Sequence, residues 1–403
     1  MTDATAPPLD GVKVIDLTIW VQGPLAGQLL ADLGADVIKI EKPGQGDFAR
    51  GLQTLFGASM RTSRDTSLLF ELVNRNKKSI AVDLRKEAGR RILHALVRDA
   101  DVFVSNLLPR SLKVFGADAE TLMAINPRLI YAAGGGLGSQ GDLANVPAQD
   151  TTGTAYSGFM YSVSGDGNPQ YPPGAIADLV SGTNLAFAIV AALLRRERTG
   201  KGEAVSTSLL QGMLWVQQLH VGAIANTGDP LRPFDPANAA NPFLNLYRCS
   251  DGEWLALGMT AMRRDDWFAF CDLMERPELK EDERFHRNRG RIEHARELVA
   301  VIAEEMALRP RDEWLERIEA SGLPCAPVRR LEELIRDPKV LSENALTHTP
   351  SGMTFVRPPF NMDGVPSHAD DAPEFASDTF EVLSGLGLSA EEIARLEEDG
   401  VAW

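Results

Sequence analysis

VKVIDLTIWVQGPLAGQLLADLGADVIKI, running from Val12 to Ile40, decides the fold. Val12 to Leu17 is a short apolar run, Pro24 to Leu33 repeats its apolar residues at helical spacing, and Val37 to Ile40 is a second apolar run after the turn Gly34-Ala35. Strand, helix and strand in that order predict parallel pairing through a right-handed crossover. The first turn, TIWVQGPLAG, has no GxGxxG, so a nicotinamide site is not written there. Further along, Ile80 to Leu84 reads as a strand, Glu87 to Val97 as a helix, Val102 to Val104 as a strand, Ala117 to Ile125 as a helix and Leu129 to Ala132 as a strand. The expected fold class is an open α/β sheet.

A GxGxxG string does occur at Gly136, Gly138 and Gly141, but DLANVPAQD follows it, too polar and proline-marked for a dinucleotide helix. The glycines are expected to serve a tight backbone turn or a close approach. Asp150 then opens a run of small residues that leads to GAIADLVSGTNLAFAIVAALLRRERTGKG, Gly174 to Gly202. Its ten-residue run Leu185 to Leu194 contains no polar side chain, which predicts a buried helix too short to span a bilayer. Asp178 stands just ahead of that run, with Ser181, Thr183 and Asn184 better placed as caps and Gly174 and Gly182 leaving room for close approach. Arg195, Arg196 and Arg198 close the helix where cations suit its dipole. Glu203 to Ser206 reads as a strand and Ser208 to Ala223 as one helix. Asn226 to Asn245, rich in Pro, Asn and Asp, reads as a linker, and YRCSDGEWLALGM as a hairpin turning at Ser250 to Gly252.

With 403 residues, two or three compact units are expected, and a formal charge of -15 argues against a nucleic-acid surface. Cys249, Cys271 and Cys325 lie far apart without metal spacing, the six histidines are scattered, and no HExxH occurs. No protein-bound metal, no disulfide framework and a reducing, cytoplasmic location are therefore expected. MTDATAPPLD has neither the basic start nor the apolar core of a signal peptide, and no membrane association is expected. Val37 to Arg90 carries 11 Lys and Arg against 6 Asp and Glu, a local excess of positive charge. Lys39, Lys42, Arg50, Arg75, Lys77, Lys78 and Arg85 fall after strand ends or in loops, where open α/β sheets bind ligands. Either a salt-bridged surface or a phosphorylated ligand accounts for them.

PLDGVKVIDL, Gly23-Pro24, LGADVIKIEKPGQGD, NRNKKSIAVDLRKEAGR, DVFVSN, NPRLIYAAGGGLGSQG, AIADLVSG and RRERTGKGEAVSTSL, followed by YRCSDGEWLAL, SGLPCAPV and RPPFNMDGVP, resemble in order and spacing the family III coenzyme A transferases. That group also contains α-methylacyl-CoA racemase. The resemblance implies a Rossmann-like large domain whose parallel sheet is built from both chain ends, residues 1–225 and 331–403. It further implies a linker with a smaller α+β domain at 226–330, and two subunits threaded as an interlocked dimer.

By the same resemblance Asp178 is the catalytic aspartate, attacking an acyl-CoA thioester to give a mixed anhydride and then an aspartyl-CoA thioester. Coenzyme A and acyl-CoA enter as substrates, with no tightly bound cofactor. The positions carried over to CoA binding are Lys42, Val82, Asp83, Leu84, Arg85, Asn106, Gln149 and Asp150. Leu107, Leu108 and Arg110 depart from the family's Asn-Phe-Arg-Pro-Gly pattern, and Val114 stands where one branch has an arginine, so Lys113 or Arg110 is a candidate replacement. Gln149 occupies the place of the racemase branch's histidine and is neither acid nor base. The leading expectation is transfer of CoA between an acyl-CoA and a small carboxylic acid, most simply by a homodimer, with a heteromer open. The alternatives are a noncatalytic partner subunit of a heteromeric transferase and an acyl-CoA racemase or isomerase. The acids themselves are not readable.

Overall fold

The computed structural model describes residues 6–165, 167–231, 234–259, 263–362 and 369–403. Met1 to Thr5 of the opening stretch and Asp363 to Pro366 of RPPFNMDGVP lie outside the described residues. The chain divides into two compact units, one of Met1–Ser162, Pro169–Leu231 and Asn344–Trp403, the other of Val163–Asn168 and Arg232–Glu343.

In the first unit the opening stretch forms β1 (Lys13–Leu17), α1 (Gln22–Asp32) and β2 (Asp36–Glu41). Next come β3 (Lys78–Ala81), α2 (Glu87–Arg98), β4 (Val102–Ser105) and β5 (Ile130–Gly135), and then α3 (Asp150–Tyr156), α4 (Ile176–Thr199), β6 (Ala204–Ser208) and α5 (Leu209–Val216). All six strands pair in parallel in the order β3-β2-β1-β4-β5-β6, the doubly wound arrangement, with Val14 of β1 opposite Val37 on one side and Val102 on the other. Strands covered on both faces should read as unbroken apolar runs, and β4 is buried at each of its residues. One face packs α1 and α4 through Ala26, Leu30, Leu185 and Ile189. The other packs α2 through Leu93 and Val97 with Phe103 and Tyr131. The strand order reverses between β1 and β4, and ligands of such sheets bind beyond the carboxyl ends of the strands near that point.

Five expectations need correction. The sheet is not built from both chain ends, because its six strands all fall between Lys13 and Ser208. The C-terminal return instead covers the open edge at β3, whose amides would otherwise be unpaired. Ser79 N donates to Asp378 Oδ2 at 2.8 Å, Ala81 N to Thr379 Oγ1 at 3.2 Å, and Val82 bridges Ala402. Secondly, α4 is 24 residues long and begins at Ile176, so Asp178 lies within its first turn and not before it. By length and hydropathy α4 reaches that of a membrane-crossing helix, but its buried residues belong to the core shared with α1 and the sheet. Thirdly, Ser181 and Thr183 do not cap, since each hydroxyl donates back to the carbonyl four residues earlier, at 2.5 Å to Ala177 and 2.8 Å to Leu179. Fourthly, the apolar run of α4 is buried along one stripe only, while Phe187 and Leu194 are exposed. The segment expected as one helix from Ser208 breaks at Gln217 into α5 and Gln218–Thr227.

In the second unit the hairpin forms as Leu244–Arg248 against Trp254–Gly258, and Cys325–Pro327 adds a third antiparallel strand. Trp267, Phe270 and Trp314 fill its core. All three cysteines are free.

Candidate active site

The carboxylate of Asp178 is half-buried in the first turn of α4 and faces the backbone amide of Gln22, the first residue of α1, which favours its charged form. Burial, and then the negative charge of Asp150, push its pKa from an ordinary 3.8 up to about 7. Its helix has no cap of its own: Ala175 enters in the left-handed region at φ 54 after Gly174 at φ 123, and offers no side-chain acceptor. Asp150, at the start of α3, supplies the cap. Its Oδ1 accepts from Ala177 N at 2.7 Å and Asp178 N at 3.0 Å, and its Oδ2 accepts from the Tyr171 hydroxyl at 2.5 Å. With both oxygens engaged, Asp150 is 7% exposed.

Gln22 is held in turn by its side chain. Its Nε2 donates to Gly135 O at 3.1 Å and Ser181 Oγ at 3.0 Å, tying α1 to the end of β5 and to α4. Two glycines make this possible: a Cβ at Gly182 would lie 2.6 Å from the Gln22 carbonyl oxygen, and one at Gly134 would lie 2.5 Å from Gln22 Oε1. The glycine string beyond β5 leads into a 3₁₀ turn, Gly141–Asn145, and a Cβ at Gly135 would lie 2.3 Å from the Gly138 carbonyl.

A cavity of about 350 Å³ opens at the carboxyl ends of β1, β2 and β3. Lys42, Val82, Asp83, Leu84 and Arg85 line it, which gathers five of the eight positions expected to contact CoA. Arg85 grips Asp83 through Nε at 2.8 Å and Nη2 at 2.7 Å and holds the Asp83 carboxyl below its usual range, yet stays exposed. Lys42 is also exposed, with one hydrogen bond to Gln45 Oε1 at 3.0 Å. Asn106 stands behind the wall, exchanging two hydrogen bonds with the backbone of Ile19, at 2.9 and 2.7 Å. Gln149 is exposed at the start of α3 and, like Asp150, does not line the cavity, while Asp150 contacts the amide of Asp178. The loop from Thr18 to Gln22 joins the two places, lining the cavity at Thr18 and Ile19 and touching Asp178 at Gln22.

Most of the local excess of basic residues is consumed internally. Lys39 pairs with Asp47 at 2.9 Å, Lys77 with Asp16 at 2.8 Å, Arg75 with Asp32 at 2.6 Å and Arg50 with Glu41 at 2.6 Å. Of the seven basic residues singled out, only Lys42 and Arg85 line the cavity. Arg110 and Lys113, the suggested replacements for an arginine at Val114, are exposed and do not line it, whereas Leu107 does. Sequence reasoning passed over Gln22 and Tyr171. The only signal for Gln22 was its place directly before Gly23-Pro24, and Tyr171 carried none.

The model of CoA-transferase family III matches residues 9–379. An (R)-2-hydroxy-4-methylpentanoate CoA-transferase from Clostridioides difficile is 31% identical over 402 residues, spanning 98% of this chain and 99% of that one. An acetyl-CoA:oxalate CoA-transferase from Acetobacter aceti is 36% identical over 343 residues, 84% of this chain and 85% of that one. A solved structure, a CAIB/BAIF family protein from Brucella suis, superposes with a TM-score of 0.80 at 29% identity, covering 94% of this chain and all of its own.

Proposed function

The chain belongs to CoA-transferase family III and is an enzyme of that family, and on that premise we propose that it moves coenzyme A from an acyl-CoA to a small carboxylic acid through covalent intermediates on Asp178. The observation that carries this reading is a half-buried carboxylate, pushed up to about 7 by burial and by Asp150, that faces the Gln22 amide of a loop also bordering the β1–β3 cavity.

A carboxylate poised near neutrality is a stronger nucleophile than an ordinary one and is still ionised in part at pH 7. An Oδ of Asp178 attacks the thioester carbonyl carbon; the C–S bond breaks, CoA leaves as the thiolate, and a mixed anhydride remains. The thiolate attacks the aspartyl carbonyl, releasing the first acid and leaving an aspartyl-CoA thioester. The incoming carboxylate attacks that thioester, again expelling the thiolate, and the thiolate then attacks the new acyl carbon. Asp178 is returned as the free carboxylate and no proton is consumed. The Gln22 amide that faces the free carboxylate would hold an oxygen of each acyl intermediate.

For the nucleotide end, the apolar walls at Val82, Leu84 and Leu107 suit an adenine, and the exposed cations Lys42 and Arg85 suit its phosphates. Asn106 supports the loop, and Gln149 borders the reacting acyl group. The enzyme is proposed to act in the cytoplasm, in keeping with three free thiols. It is also proposed to act as a homodimer with interlocked subunits. The exposed apolar side chains of α4, α5 and Gln218–Thr227, including Phe187 at 76%, Trp215 at 64% and Leu219 at 71%, favour a covering second copy.

Intact-protein mass spectrometry after incubation with a panel of acyl-CoAs tests the mechanism. A hydroxylamine-sensitive acyl or CoA adduct on wild type that Asp178→Ala lacks is the expected result; an adduct retained by Asp178→Ala would rule the aspartyl route out.

A further inference from the structure

We infer that Tyr171 is a positioning residue for Asp178, acting through Asp150; the inference rests on Asp178 being the acyl-accepting carboxylate. The first turn of α4 depends on a side chain 28 residues upstream for its cap, because Ala175 offers none. That side chain, Asp150, uses Oδ1 for the amides of Ala177 and Asp178 and Oδ2 for the phenol of Tyr171. It is almost wholly shielded from solvent, so water is poorly placed to take over from the phenol. The phenol therefore fixes the plane of the carboxylate, and that plane fixes the amide of the nucleophile.

The ring of Tyr171 is itself braced. Phe56, at the tip of the hairpin Thr54–Leu55 with Ala58–Ser59, lies against it with centroids 5.7 Å apart and an interplanar angle of 50°. Phe56 is 59% exposed and its backbone is left-handed at φ 49, followed by Gly57 at φ 80. A surface hairpin, a phenol, a buried carboxylate and the nucleophile's backbone thus form one chain of contacts. The titratable groups that face Asp178 are Asp150 on α3 and Tyr171 ahead of α4. From α1 comes only the Gln22 amide, and α5, which meets α4 at Gly212 and Ser181, carries no charged residue. Donation from the phenol draws charge off Asp150; its removal leaves the full negative charge beside Asp178.

The test is a double-mutant cycle on the full chain with Tyr171→Phe, Asp150→Asn and the pair. Two quantities are read: steady-state kinetics with an acyl-CoA that forms the adduct, and the pH midpoint for esterification of Asp178 by a diazo compound, followed by peptide mass spectrometry. Tyr171→Phe is expected to lower kcat roughly tenfold with KM changed less than about twofold, and to move the esterification midpoint to higher pH. In the Asp150→Asn background, which cannot accept from the phenol through Nδ2, it is expected to add less than about twofold. Wild-type kcat and midpoint in Tyr171→Phe, or an equal loss in both backgrounds, overturns the inference while leaving the adduct on Asp178 intact. An acyl adduct retained by Asp178→Ala removes the premise and overturns both readings. If Tyr171→Phe does not fold, Phe56→Ala reads the same chain of contacts: a lower kcat in the wild-type background and none of that loss with Asp150→Asn.

Discussion

Asp150 Oδ1 lies 3.0 Å from the backbone nitrogen of Asp178, so one carboxylate takes the helix amides that would otherwise have stabilised charge on the other. An acid in the first turn of a helix ordinarily gains from the N-terminal dipole. Here the gain goes to Asp150, and Asp178 is left with one amide, burial and a negative neighbour.

The sign of the resulting pH dependence follows from linkage. The folded-state pKa of Asp178, about 7, lies above its ordinary 3.8, so the folded state binds this proton more tightly than the unfolded chain does. The contribution is neutral at pH values below about 4, turns into a cost as pH rises from there, and is fully present above about 7. Asp178→Asn is expected to stabilise the protein by about 1–3 kcal/mol at pH 8 and to lose that gain towards pH 4. Urea titrations at the two pH values check this, and an equal gain at both would contradict the shift. If Asp178 is the acyl acceptor proposed above, formation of the acyl adduct in wild type should fall off below pH 7, as its carboxylate is protonated.

Lys42 and Arg85 are the cations that line the cavity without being buried in an internal pair. Replacing either by Ala is expected to raise KM for acyl-CoA about five- to thirtyfold with little change in kcat, since the phosphates are bound alike in ground and transition states. Comparison of CoA with its 3′-dephospho form shows which cation meets that phosphate. Unchanged KM in both variants would place the nucleotide elsewhere.

Gly182→Ala is predicted to damage catalysis more than stability. The added Cβ would sit 2.6 Å from the Gln22 carbonyl oxygen and 3.2 Å from Leu25 Cβ, forcing α1 away from α4 at the residue whose amide faces Asp178. A loss of about 1–3 kcal/mol in stability is expected from overpacking, with kcat reduced at least about a hundredfold. Denaturant melts and adduct formation measured on one preparation separate the two effects.

Lys77 is sequestered with Asp16 at 2.8 Å and also donates to Pro24 O at 2.8 Å and Asn74 Oδ1 at 2.9 Å, while burial lowers its pKa to about 8. Lys77→Met strands the buried carboxylate and is expected to cost about 3–5 kcal/mol. Adding Asp16→Asn should recover part of that loss, and a double variant no more stable than Lys77→Met would show that the pair is not what holds β1 to the segment before β3.

Phe187→Asp places a charge on the exposed stripe of α4. If a second copy covers that stripe, sedimentation should show the variant as monomer or misassembled material where wild type sediments as a dimer. A wild type that sediments as a well-behaved monomer at micromolar concentration would count against the interlocked dimer.

The parallel α/β fold was legible because its signals are local. The apolar runs at Val12 to Leu17 and Val37 to Ile40 and the helical spacing between them report the period of the backbone, and that period survives folding. Val82 to Leu84 were carried over by the family resemblance and not by the spacing: the run Ile80 to Leu84 reads as strand, whereas β3 ends at Ala81 and leaves these residues at the carboxyl edge of the sheet, lining the cavity. Asp178 was singled out but misplaced relative to its helix, because Asp150, a cap supplied from 28 positions away, leaves no mark in the spacing around Ile176. The same holds for the basic excess between Val37 and Arg90. Whether Lys39 meets a phosphate or Asp47 depends on which loops converge, and tertiary packing buried Lys39, Arg75 and Lys77 in ion pairs while leaving Lys42 and Arg85 exposed at the cavity. By itself the sequence determined the elements, their order and the chemistry available, since these follow from neighbours along the chain. Tertiary structure alone decided which charges are satisfied, what caps the helix of Asp178 and what pushes the pKa of that carboxylate up, since desolvation and pairing act between residues brought together only by folding.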